Sequence, residues 1–182
     1  MQAKQLNLWD LNGDIQVYFR WSLHALYPVV PHEADRQLAQ HRKPICKVAQ
    51  ELLRAINYTP TPIYRGVLFR QPITQLNPHR NFQYLSFSED QTVAKHFASV
   101  NGFGSNLLDV EKQLGKYGYV IEYTPQPDEV LFHYGFFSLL PYADAYDILQ
   151  MDGPTEVEYL KRQKEVTILQ PTAPFVNLMP QI

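Results

Sequence analysis

Three short stretches of this 182-residue chain carry groups able to act on a polar ligand: Tyr64-Arg65-Gly66, Leu85-Ser86-Phe87-Ser88 and Gln163-Lys164-Glu165-Val166. Together they offer a guanidinium, an ammonium, a phenol, two serine hydroxyls, an amide and a carboxylate, hence a clamp for anions, hydrogen-bond donors and acceptors, and one negative charge. Other chemistries fail on spacing. His32-Glu33 begins like a zinc-protease motif, but Arg36 stands where the second histidine is needed and the six histidines are otherwise scattered, so no metal site is expected. Gly102-Phe-Gly-Ser-Asn-Leu opens like a dinucleotide fingerprint, yet it lacks the third glycine and a following helix, and it reads as a loop. Cys46 is the sole cysteine, which excludes an internal disulfide and a thiolate cluster. Its place in an apolar-periodic helix favours a packed thiol over a nucleophile.

The elements that must hold these groups follow from periodicity. The first third reads as helical. Pro31 opens a polar helix, and Pro44 can start a second one whose Ile45, Val48, Ala49, Leu52, Leu53 and Ile56 recur at helical spacing, a stripe suited to packing on a sheet. After Pro60 and Pro62 the pattern changes to short aromatic and β-branched runs at 63–69, 82–88, 117–123, 130–134, 165–169 and 175–178, expected as strands. Between the second and third runs, 90–100 reads as a helix with Ser88 and Gln91 as a capping box. The class is α+β, a mixed and mainly antiparallel β core with N-terminal helices. The expected organisation is a single domain over 1–182, helical over 1–60 and strand-rich over 62–178.

Composition narrows the function classes. With 45% hydrophobic residues the chain can bury one substantial core, and its 16 basic against 18 acidic residues, net charge -2, provide no overall field for nucleic acid or an anionic membrane. Nucleic acid is therefore not expected as a partner. No uninterrupted apolar run approaches ~18 residues and Met1 to Asp10 lacks a leader's apolar stretch, so a soluble cytoplasmic protein is expected.

The ordered set of an arginine on an early strand, a Ser-x-Ser strand followed by a helix of the form Val-Ala-Lys-His-Phe-Ala, and a glutamate opening a late strand resembles the Arg-Ser-Glu class of ADP-ribosyltransferases. Pro-Ile-Tyr-Arg-Gly-Val, Lys-His-Phe-Ala-Ser and Gln-Lys-Glu-Val-Thr-Ile-Leu are most similar to the small phage-encoded Mod-type members. The resemblance covers Pro62 to Leu178, which it makes the NAD-binding catalytic core. It implies that NAD is the substrate, that an unidentified protein receives ADP-ribose, and that the setting is that of a phage effector or bacterial toxin in a host cytoplasm. By the resemblance, Glu165 binds the ribose beside the nicotinamide and stabilises the developing positive charge. Arg65, flanked by Tyr64 and Gly66, holds the pyrophosphate, with Arg54 as a second contact or merely an exposed helix residue. Ser86 orients Glu165. Ser88 either contacts NAD or caps the helix, and Phe87 stands where the family usually has threonine. Phe103, in the loop after the helix, stacks on the leaving ring or plugs the core.

Gln163, two residues before the glutamate, bears on the acceptor. The resemblance associates glutamate there with arginine acceptors and glutamine with asparagine acceptors, and a neutral amide orients an incoming amide without serving as a base. An amide acceptor is thus slightly favoured over arginine, although the Mod-type likeness points to arginine; Tyr159 or Leu160 would face the acceptor. Glu156-Val-Glu158 is a rival acid pair, but the half-buried strand pattern follows Glu165 instead. Lys161, Arg162 and Lys164 form a small basic cluster that either faces an acidic partner or is a solvated face. Two other readings use the same residues: NAD hydrolysis with water as acceptor, and a catalytically degenerate member that binds a protein through the cleft.

Overall fold

A computed structural model describes residues 13–26, 31–69, 71–77, 83–99, 117–139, 158 and 161–181. Phe103 with its loop, Glu156, Tyr159 and Leu160 lie outside the described residues. Two helices open the described chain, α1 (Gly13–Leu26) and α2 (Pro31–Ala55). Proline suits the first position of a helix, where its missing N–H has no partner to lose. At His41 the backbone leaves helical geometry (φ −127°, ψ 27°), so Pro44 sits in the first turn of a second helical segment, where its ring is tolerated. The second helix expected at Pro44 is thus the far side of a kink in one element.

Six strands follow: β1 (Ile63–Phe69), β2 (Tyr84–Ser88), β3 (Tyr117–Tyr123), β4 (Val130–His133), β5 (Glu165–Leu169) and β6 (Leu178–Gln181), with α3 (Gln91–Ala98) between β2 and β3. They form one sheet in the order β4-β5-β2-β1-β3-β6, with every ladder antiparallel. The protein is α+β. Strand β4 ends one residue before the expected Tyr134 because the His133 ring accepts the Gly135 N–H (2.9 Å), turning the chain into a 3-10 turn over Tyr134–Ser138. The last strand departs more. Phe175 makes only an isolated bridge with Leu76, and β6 begins at Leu178 and runs through Pro180. Proline is admissible there because β6 is an edge strand.

Alternation separates the two faces of the sheet. Ile63, Phe87, Ile121, Val166 and Ile168 are buried toward one core together with Tyr18, Trp21, Leu38, Ile45 and Leu52 from α1 and α2. The α1 contribution is anchored by the Tyr18 hydroxyl, which donates to the Leu131 carbonyl (2.8 Å). On the other face α3 lies across β1 and β3, and two glycines permit its approach. A methyl group on Gly66 would overlap the Ala94 carbonyl oxygen and come within 2.6 Å of the Ala98 nitrogen, while one on Gly118 would overlap the Ala98 carbonyl. The β2–β5 half of that face carries Ser86, Ser88, Glu165 and Thr167 instead of apolar side chains.

Helix α3 is capped by Asp90, whose carboxylate accepts the Thr92 N–H (2.9 Å), and not by the expected Ser88–Gln91 box. Helix α3 begins at Gln91, which puts Asp90 in the capping position and Ser88 two residues too early; the Ser88 hydroxyl accepts the Asp90 N–H and donates to the Gln163 carbonyl instead. Among the described residues, no helix is long and apolar enough to cross a membrane.

Candidate active site

The central ladder is incomplete. β1 and β2 face each other at Tyr64↔Ser88 and then part. A carbonyl left without its strand neighbour needs another donor. For Ser86 that donor is the Arg65 guanidinium, whose Nη1 lies 2.7 Å from the Ser86 oxygen. The parting of the strands coincides with a cavity of about 320 Å³, lined by Tyr64, Arg65, Gly66, Ser86, Gln163 and Glu165 among others. Ser88 also touches it, and Val93 and Phe97 of α3 add an apolar wall. The volume lies within the range of small-molecule sites. The structure therefore brings the three sequence stretches together. Of the residues singled out from sequence, Phe103 lies outside the described residues and Arg54 is exposed at the end of α2, away from the cavity lining.

Charge in the cavity is set by burial. Glu165 opens β5 at the cavity floor, and desolvation pushes its carboxyl up to about 7, against the opposing pull of the Ser86 hydroxyl, the Arg65 charge and the Thr167 hydroxyl, in that order. Arg65 is half-buried beside it; desolvation lowers its pKa and the Glu165 charge opposes that shift. The guanidinium remains protonated at neutral pH and uses one of its five donors on Ser86, leaving others for a ligand in the cavity.

The turn before Glu165 is fixed from β2. The Ser88 hydroxyl donates to the Gln163 carbonyl (2.5 Å) and accepts the Asp90 N–H (2.9 Å). The Glu89 N–H donates to the Lys164 carbonyl (3.1 Å), and Lys164 takes φ 47° in the left-handed region. Ser88 thus brackets the turn that presents Gln163 to the cavity. Phe87, between the two serines, points away, with its ring 6.0 Å from Phe175 and 6.3 Å from Tyr123 in the core. A residue at this position does not need a hydroxyl to serve the cavity, which accounts for phenylalanine there.

One cluster escaped sequence reasoning. The Glu89 carboxylate accepts from Tyr134 (3.0 Å), Thr61 (3.1 Å) and His133 Nε2 (3.1 Å). Because His133 Nδ1 accepts from Gly135, the ring proton resides on Nε2, which donates to Glu89. These bonds pull the Glu89 carboxyl below its ordinary value. They tie together the approach to β1, the end of β2 and the exit of β4. No spacing signal announces it, since its members are spread from residue 61 to residue 134.

Two rival groups occupy other positions. Cys46 is half-buried and its thiol is pushed up mainly by burial, so it is held protonated rather than poised for attack. Glu158 pairs with Lys161 (3.5 Å). Among the described residues, no three His, Cys, Asp or Glu side chains gather as a metal site would require. Comparison with known proteins finds no matching family model, no matching curated protein and no matching solved structure.

Proposed function

We propose that this chain is a mono-ADP-ribosyltransferase of the Arg-Ser-Glu class, which cleaves NAD in the cavity at the β1–β2 split and transfers ADP-ribose to a protein side chain. The observation that carries the reading is the convergence of Arg65, Ser86 and Glu165 from three strands on one cavity. Breaking the bond between ribose and nicotinamide builds positive charge on the sugar, while the ring leaves neutral because it began as a cation. No acid is needed to expel it, and a single carboxylate suffices, unlike the pair in ordinary glycosidases. Glu165 is that carboxylate. Its carboxyl is partly protonated at neutral pH, and the cationic nicotinamide end of NAD draws it to the ionised form. Two unit charges ~4 Å apart at an effective dielectric near 20 attract by about 4 kcal/mol, close to three orders of magnitude in rate.

Arg65 holds the pyrophosphate with the donors not used on Ser86, and the Ser86 hydroxyl orients Glu165. The proposed chemistry runs without a metal. Gln163 at the cavity wall is neutral, and Glu165 is the one carboxylate among the described lining residues. This fits an amide acceptor, which Gln163 can orient by hydrogen bonding, and leaves no second carboxylate among them to pair with a guanidinium; the acceptor nitrogen's proton passes to solvent as its bond to the ribose forms and the bond to nicotinamide breaks. The host-cytoplasmic effector setting belongs to the same proposal and rests on the resemblance alone.

Purified protein incubated with NAD labelled in the adenylate portion and a bacterial lysate tests the reading. Labelled protein bands, and mass spectrometry placing ADP-ribose on one side chain, are the expected result. Free ADP-ribose without bands would assign NAD hydrolysis instead, and intact NAD would leave a binding cleft without catalysis.

A further inference from the structure

Thr167 stands two residues after Glu165 on β5, so both side chains project from the same face of the sheet. Ser86 of β2 is its ladder partner on one side and Phe132 of β4 on the other. The residue is fully buried, and its Oγ1 is sealed from solvent without a partner in hydrogen-bonding geometry. A buried hydroxyl left in this condition is costly, and an isosteric valine would avoid the cost. Of the two polar neighbours on that face, the Ser86 hydroxyl across the ladder and the Glu165 carboxyl, it is Glu165 whose pKa the Thr167 hydroxyl draws downward. Arg65 of β1 is the charged group that acts on Glu165; β2 offers the Ser86 hydroxyl, and α3 turns only Val93, Ala94 and Phe97 toward the cavity.

We infer that Thr167 is a positioning residue for Glu165: the ionised carboxylate moves into hydrogen-bonding distance of the Thr167 hydroxyl, which donates to it and fixes that anion in the cavity. The inference rests on reading Glu165 as the charge-stabilising group of NAD cleavage. An ionised carboxylate accepts from several donors at once, whereas a protonated one places its own hydrogen among them. The contact therefore tightens as Glu165 ionises, which is when catalysis needs it.

The test is the titration of Glu165 itself, followed through carboxyl carbon NMR of the full-length protein labelled at glutamate, with Glu165→Gln identifying the resonance. Thr167→Val should raise the Glu165 midpoint by roughly half to one pH unit, and Thr167→Ser should return it to the wild-type value. Thr167→Ala, which also lacks the hydroxyl, is read in the same way if valine compromises folding. In NAD cleavage, Thr167→Val should lower kcat/KM about 2- to 5-fold at pH 7, following the smaller ionised fraction of the free enzyme, and the deficit should close toward pH 9. An unchanged Glu165 midpoint in the hydroxyl-less variants, or failure of serine to restore it, overturns the inference. A shifted midpoint in a protein that leaves NAD intact upholds the hydroxyl–carboxylate contact and overturns the functional reading.

Discussion

Replacing Glu165 by glutamine should stabilise the unliganded protein, and should do so only at neutral and alkaline pH. Burial raises the folded-state carboxyl from an ordinary 4.5 to about 7. Between these values the folded chain holds a proton that the unfolded chain has released, so stability falls as pH rises through that window. Below 4.5 both states are protonated and the group contributes nothing to the pH dependence. Above 7 the folded state carries the full burden of a buried anion. The interval from 4.5 to about 7 corresponds to at most about 3.5 kcal/mol at ~1.4 kcal/mol per pH unit, a ceiling because the open cavity admits water to one side of the carboxyl. Glutamine keeps the shape and carries no charge. Urea unfolding of wild type and Glu165→Gln at pH 4.5, 6, 7 and 8.5 therefore gives a difference that starts near zero, widens from pH 5 and levels off near 8. In thermal melts a 2–3 kcal/mol gap at pH 8.5 is about 4–12 °C for a chain of this size. A difference that stays flat with pH, or a glutamine variant less stable than wild type at pH 8.5, refutes the placement of Glu165 as a desolvated carboxyl.

Three further outcomes are expected. Gly66→Ala should cost several kcal/mol or prevent folding, because the new methyl meets the backbone of α3 at Ala94 and Ala98; a urea midpoint within 0.3 M of wild type would contradict the close helix approach. Glu89→Ala should destabilise by about 2–3 kcal/mol by stripping Tyr134, Thr61 and His133 of their shared acceptor, whereas a loss under 0.5 kcal/mol in urea unfolding would remove the cluster's structural role. Gln163→Glu should move labelling toward arginine acceptors in a peptide panel, and an unaltered acceptor preference would remove the basis for assigning Gln163 to acceptor choice.

Parts of this architecture were legible because local chemistry repeats. Strands β1, β3 and β5 have the expected bounds since each is a short run rich in β-branched and aromatic residues with proline or turn residues beside it. Ser88 and Asp90 are both good caps in isolation; where β2 ends and α3 begins, at Ser88 and Gln91, decides for Asp90. Likewise Pro180 disguised β6, since only the sheet order reveals an edge where a missing N–H is harmless. Arg65, Ser86 and Glu165 could be picked out by residue type and order. Thr167, the wall of Val93 and Phe97, and the Glu89 cluster could not, because their meaning depends on cross-strand register and on where β1 and β2 part.

Release of nicotinamide from NAD, followed by chromatography in the presence of a bacterial lysate, tests the central claim most directly. Wild type should release it, Glu165→Gln should be slower by a factor of about 100 or more at pH 7.5, and Arg65→Lys should weaken NAD use through the loss of bidentate phosphate contact. No nicotinamide from the wild type, or equal release by Glu165→Gln, would contradict the assignment of the cavity to NAD cleavage.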